Sequence, residues 1–296
     1  MGEYRKGHAE RATRLPDGAL MLVVDENVLR QENEVAPLIS HILVPVEFSR
    51  RSAGAARFAV ELAHRFHSKV TLLHVEKPVE NDPFWTAEVT HWAKDEMSDF
   101  LPESAEDPIL RRIVQVQVDI AGEILRKAAE TSADLIVMPT HAYGPIRRVL
   151  LGSASARILR EAPCPVWTTA QATSLPAQWL EPERILCAVD AGPDGADVLS
   201  WASSLASNLN AQLCVAWSRQ DLTQMRGQVD KLRRSRRIYA EAVIEAEKVP
   251  DVLRQTAKRM RAGLLVVSRN FWNSAARPGL DLSEVVRKAG CPVVCM

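Results

Sequence analysis

The chain has no net charge: 37 Lys and Arg balance 37 Asp and Glu over 296 residues. Broad binding of nucleic acid or of an anionic membrane needs a basic surface, so neither is expected as a partner. No apolar run is long enough to make a transmembrane helix. Residues 1–14 are charged and lack the apolar core of a signal peptide. The five cysteines, at 164, 187, 214, 291 and 295, include no Cys-x2-Cys pair. An odd count without metal-ligand spacing fits a reducing compartment, and a cytoplasmic location is expected. Gly-x4-Gly-Lys-Ser/Thr is absent, which excludes a P-loop ATPase. Gly-x-Ser-x-Gly is absent too, so the sharp nucleophile turn of a Ser/His/Asp hydrolase is missing. All seven histidines fall within the first 141 residues. His64 and His67 share a helix face and His74 lies in the next strand, but a metal site needs a third ligand in suitable geometry, and none is expected. Aromatic residues make up only 5% of the chain. Trp85, Trp92, Trp179 and Trp272 fall outside the recurring segments and are expected to fill contacts.

What the chain does have is apolar residues, at 47%, and an internal repeat. Ile42-Leu43-Val44-Pro45-Val46-Glu47 matches Ile185-Leu186-Cys187-Ala188-Val189-Asp190. The run 70–75 matches 212–217 in type, and Ala162-Pro163-Cys164-Pro165-Val166-Trp167 matches Ala289-Gly290-Cys291-Pro292-Val293-Val294. Three anchors in one order indicate a duplicated domain rather than a solenoid. Short apolar runs alternate with helical patterns in both copies. The first copy predicts strands at 41–46, 70–75, 113–118, 134–138 and 165–169, with helices near 52–66, 84–99, 121–131 and 153–161. The second predicts strands near 184–189, 211–217, 237–243, 263–267 and 292–295. The expected class is α/β, two tandem doubly wound parallel sheets with helices on both faces. The expected boundaries are 1–39 for an N-terminal extension, 40–170 for domain 1, 171–183 for a linker with two prolines, and 184–296 for domain 2. In the extension, Leu20 to Val24 fits a strand and Asp25 to Gln31 a helical turn. The Arg-rich run 233–237 is expected to be a solvated loop.

The most informative stretch is 133–168. Leu135-Ile136-Val137-Met138 is an uninterrupted apolar run, as in a parallel strand covered on both faces, and Pro139 ends it. Gly152-Ser153 then opens a helix, whose exposed N–H groups suit an anion. This segment resembles the C-terminal half of a universal stress protein domain. Nucleotide-binding members of that family carry Gly-x2-Gly-x9-Gly-Ser/Thr here. The register falls on Pro139, Ala142, Gly152 and Ser153, with nine residues between Ala142 and Gly152. The resemblance implies five-stranded sheets of order 3-2-1-4-5, an adenine nucleotide α-hydrolase-like fold, covering 40–170 well and the second copy loosely.

In such sheets a ligand sits at the carboxyl ends of strands 1 and 4, where the strand order reverses. Pro45, Val46 and Glu47 would flank a nucleotide on one side. Pro139, Thr140, His141 and Ala142 would flank it on the other, with Gly152, Ser153, Ala154 and Ser155 under its phosphates and Val75 against its base. The resemblance implies ATP at these positions, accompanied by Mg, in the first copy only. Three departures weaken the match: Glu47 stands in place of Asp, Pro139 has no N–H to donate, and Ala142 replaces a glycine. In the second copy Leu280 replaces the serine, and Asp281 puts a carboxylate at the helix start, which would repel phosphate. The expected function is a stress-response regulator whose ATP occupancy alters a partner surface, without rapid turnover and with no catalytic residue assigned. The alternative is an interaction protein of the same fold that takes no nucleotide. Strand 5 of each copy is an apolar edge that needs cover. The resemblance implies that the copies meet there as an intramolecular pseudo-dimer, with a homodimer or a further protein as the other partners expected.

Overall fold

The structure, a computed structural model, describes residues 11–14, 20–23, 38–78, 83–101, 110–139, 152–169, 180–189, 194–218, 240–244, 249–270 and 282–296. The elements run β1 (Arg11–Arg14), β2 (Leu20–Val23), β3 (His41–Val46), α1 (Arg50–Phe66), β4 (Lys69–Glu76), α2 (Pro83–Asp99), β5 (Leu110–Val116), α3 (Ile120–Glu130), β6 (Leu135–Pro139) and α4 (Ser153–Glu161). They continue with β7 (Val166–Thr169), β8 (Arg184–Val189), α5 (Gly195–Asn208), β9 (Gln212–Ser218), β10 (Ala240–Ile244), α6 (Val249–Arg259), β11 (Leu264–Val267), α7 (Leu282–Lys288) and β12 (Val293–Cys295). The chain divides into two compact units. One is Val35–Leu180 with Asp281–Met296, the other Met1–Glu34 with Glu181–Leu280.

In the first of these, β5, β4, β3, β6 and β7 lie side by side and parallel, so strand 1 of the copy is central and strands 3 and 5 lie outermost. Ile42, Leu43 and Val44 are fully buried because a parallel strand is covered on both faces. The cover on one side is α1, whose Ala55, Ala56, Ala59, Leu62, Ala63 and Phe66 recur at helical spacing and are all buried. A capping box starts α1, with Ser49 and Ser52 each bonding the other's backbone N–H. That box sets the helix start two residues ahead of the sequence reading. His67, at φ 54°, ends it. Trp167 in β7 is fully buried against Phe58 of α1, with ring centroids 5.2 Å apart.

Strand β5 starts at Leu110 rather than 113. Two arginines made its first residues look like loop. Arg112 instead donates to the carbonyls of Met97 and Leu101 at the end of α2, which satisfies its charge within the fold. The sheet is not purely parallel. β12 runs antiparallel to β7, pairing Val293 with Thr168 and Cys295 with Val166. The Thr168 hydroxyl donates to the Val293 carbonyl at 2.9 Å.

In the other unit β10, β9, β8 and β11 are parallel neighbours. The extension adds β2, antiparallel to β10, and β1, antiparallel to β2. Part of residues 1–39 is thus a hairpin on the strand-3 edge of the second copy. Residues 25–31 lie outside the described residues. The strands of each unit are therefore mixed in direction and mostly parallel, where two purely parallel five-stranded sheets were expected. The strand near 237–243 is Ala240–Ile244. The pairing registers also correct the repeat by one residue. Val46 faces His74 in one unit and Val189 faces Trp217 in the other, so His74, not Val75, is the counterpart of Trp217.

Candidate functional site

The first copy opens where the strand order reverses. β3 and β6 pair only at Ile42 with Leu135 and Leu43 with Ile136. Val44 to Val46 and Val137 to Pro139 run on without pairing to each other, although β3 stays paired to β4 as far as Val46 with His74. These carboxyl ends are where the strand order reverses, the place at which open α/β sheets take ligands. Pro45, Val46 and Glu47 stand at the end of β3, and Pro139 at the end of β6. Val46 is buried, Glu47 is exposed, and the two prolines are partly buried. Continuing the β3–β4 register by one residue sets Glu47 beside Val75, which is itself buried. Thr140, His141 and Ala142 lie outside the described residues.

The turn after β3 is tightly specified. The Glu47 carboxylate accepts from the Ser49 hydroxyl at 3.0 Å, and the Glu47 N–H donates to the Ser52 hydroxyl oxygen at 3.3 Å. Phe48 between them has φ +53°, the left-handed region, uncommon for a bulky side chain. Its ring stacks on His74, with Trp92 and Phe100 edge-on. His74 is buried, with Nδ1 3.0 Å from the Val46 carbonyl oxygen and Nε2 3.0 Å from Glu76 Oε2. The sequence reading weighed His74 only as a metal ligand and missed this role. The signal available was period-2 alternation, which sets His74 on the face of Val70 and Leu72.

Gly152, Ser153, Ala154 and Ser155 begin α4, which packs beside α3 and α7. Gly152 is the N-cap and offers no side-chain bond to the helix start, unlike Ser49 of α1 and Asp119 of α3. Among the described residues no side chain caps its first N–H groups, the arrangement that suits an anion. Arg157, one turn in, is turned away from the helix start and donates to Asp119 Oδ2 at 2.7 Å and Glu161 Oε2 at 2.8 Å. The Gly122 N–H and then Arg157 hold the Asp119 carboxyl below its ordinary range.

The second copy is closed at the same place. β11 and β8 stay paired from Leu264 with Ile185 to Val267 with Ala188. Beyond them, Asn270 Nδ2 donates to Asp194 Oδ2 at 2.5 Å, linking the segment after β11 to the start of α5. Asp190, Leu280 and Asp281 lie outside the described residues. The five cysteines are buried and none is in a disulfide. Burial pushes the Cys214 thiol up to about 12 and Cys187 higher still, so neither is a ready thiolate. Among the described residues no group of three or more His, Cys, Asp or Glu could hold a metal, and no helix is long and apolar enough to cross a membrane.

Comparison with known proteins bears on this geometry. Residues 39–169 match the model of the universal stress protein family. A universal stress protein of Thermus aquaticus is 30% identical over 134 residues, 94% of that protein and 42% of this chain. One of Methanocaldococcus jannaschii is 29% identical over 142 residues, 81% of that protein and 44% of this chain. The crystal structure of a universal stress protein from Archaeoglobus fulgidus shares the fold at a TM-score of 0.65 and 17% identity, over 86% of this chain and 95% of that one. The mostly parallel α/β sheet and the matched segment agree: the chain belongs to the universal stress protein family.

Proposed function

We propose that the first copy binds ATP or a related adenine nucleotide in the crevice between β3 and β6. One observation carries this reading: the strands part after Leu43 and Ile136, while their counterparts in the second copy stay paired. The base enters between Val46 and Pro139, and the phosphates lie over the uncapped start of α4. Pro139 withholds one N–H, and a lost phosphate contact costs about 1 kcal/mol, several-fold in affinity. Mg would travel with the phosphates. The output is conformational: occupancy orders the crevice and alters a partner surface, in keeping with a regulatory protein of the stress response rather than a rapid enzyme. Two tandem domains of the adenine nucleotide α-hydrolase-like type, joined along their fifth strands, complete the reading. The β7–β12 pairing supports that junction.

Native mass spectrometry of freshly purified protein, followed by calorimetric titration with ATP, tests the proposal. One equivalent per chain is expected. Two equivalents would mean that the second copy also binds, and no binding would leave an interaction module. The exposed Phe84 and Trp92 on α2, 68% and 50% accessible, favour that second reading.

A further inference from the structure

We propose that His74 positions the Glu47 carboxylate for the ligand, acting through the main chain of Val46 and the ring of Phe48; this rests on the nucleotide reading of the crevice. His74 is 6% exposed. Its Nδ1 meets the Val46 carbonyl oxygen and its Nε2 meets Glu76 Oε2, each at 3.0 Å. The ring thus bridges the end of β3 and the side chain of Glu76. The Phe48 ring lies on that imidazole, centroids 4.3 Å apart and planes inclined by 30°.

Phe48 is held at φ +53°. A left-handed non-glycine residue persists only where its surroundings over-determine it. Here they are His74 on one face, Trp92 and Phe100 at the edges, and the Ser49–Ser52 box behind. The conformation of Phe48 sets where Ser49 falls, and the Ser49 hydroxyl donates to the Glu47 carboxylate at 3.0 Å, so the direction of that carboxylate follows from Phe48. Without the imidazole, Phe48 is free to relax to negative φ and turn the carboxylate away. The second copy supplies a contrast. Trp217 holds the register position of His74, and its buried Nε1 has no hydrogen-bond partner among the described residues. Among the described residues Trp217 thus makes no bond like that of His74, and the β8–β11 pairing runs on to Ala188 with Val267.

The test compares His74→Phe, which keeps a ring but loses both nitrogens, with His74→Asn, which keeps a polar group near Val46. Each is also made in a Glu47→Ala background. ATP affinity is read by calorimetry, and amide hydrogen exchange at residues 47–52 is read without ligand. His74→Phe is expected to weaken ATP by about tenfold and to speed exchange at Phe48 and Ser49 by a similar factor, with His74→Asn between it and wild type. In the Glu47→Ala background His74→Phe is expected to cost no further affinity. An equal loss in that background would overturn the proposal, since a merely structural histidine would act regardless of Glu47. Unchanged exchange in His74→Phe would overturn it as well. If wild type takes no ATP, the nucleotide reading falls by itself, and the exchange measurement still decides whether His74 fixes the turn.

Discussion

Gly122 has no room for a side chain, and the reason is a neighbour's carboxylate. A Cβ there would overlap the Asp119 carboxylate. Asp119 accepts from the Gly122 N–H through one oxygen and from Arg157 through the other, so one residue caps α3 and anchors α4. Gly122→Ala is expected to displace that carboxylate and lower the melting temperature by about 2–4 °C, the size of a lost helix cap in a domain this large. In an Asp119→Ala background the same change should raise it, because alanine is the better helix former. Thermal unfolding of the four proteins checks the reversal of sign. Acid should act on the same network. Asp119 is lowered by the Gly122 N–H and Arg157, Glu130 by Lys127 and Arg126, and Glu161 by Arg157 and Arg160. A depressed folded value means the stabilisation is present above the unfolded carboxylate range and is lost as pH falls through the folded value. Melting temperature should therefore drop on acidification below about pH 4, and Asp119→Asn with Glu161→Gln should flatten that drop. These exposed pairs are also screened, so the drop should shrink in salt. At this scale the sequence showed Val46 and Glu47, since an apolar run followed by a carboxylate marks a strand end. It hid His74. Two apolar strands similar in type can be matched one residue out of register, and a one-residue slip moves every side chain to the other face.

Helix α4 shows how an element can be kept short of its best stability. Ser153 is exposed at its first turn, and the N-cap Gly152 has no side chain to cap the start. Ser153→Asp should stabilise the ligand-free protein by about 0.5 kcal/mol through the helix dipole. The same carboxylate should abolish ATP binding, because it occupies the place the phosphates need. Melting temperature and calorimetric titration should thus move in opposite senses, and a variant that still binds ATP would remove α4 from the site. The helices were legible from their spacing: α1 ends at Phe66, as its buried alanines require. The start of β5 was not. Arg111 and Arg112 broke the apolar pattern, and only the carbonyls of Met97 and Leu101, distant in sequence, show why a strand can carry Arg112. The parting of β3 from β6 was equally hidden, since it depends on pairing and not on composition.

Across the whole molecule, strand edges decide what the chain's outlying segments do. The hairpin β1–β2 covers β10, and β12 covers β7. Deletion of residues 1–34 should leave the outer edge of β10 unpaired and promote self-association, seen as a sedimentation coefficient that rises with concentration. A strictly monomeric truncated protein would show that the hairpin is dispensable cover. The parallel strands flanking β3 and β8 were readable, because they are local apolar runs. The antiparallel additions were not, since a long-range partner leaves no mark on local periodicity.

The placing of β12 has a consequence for synthesis. The unit that holds the crevice is discontinuous: its body ends at Leu180 and its closing segment begins at Asp281. At the usual pace of about 5–20 residues per second, roughly 5–20 s separate the two on the ribosome. Throughout that interval β7, with Trp167 at its centre, has emerged without the strand that will flank it. Every nascent chain therefore passes through a window of aggregation risk, closed only when Val293 to Cys295 arrive.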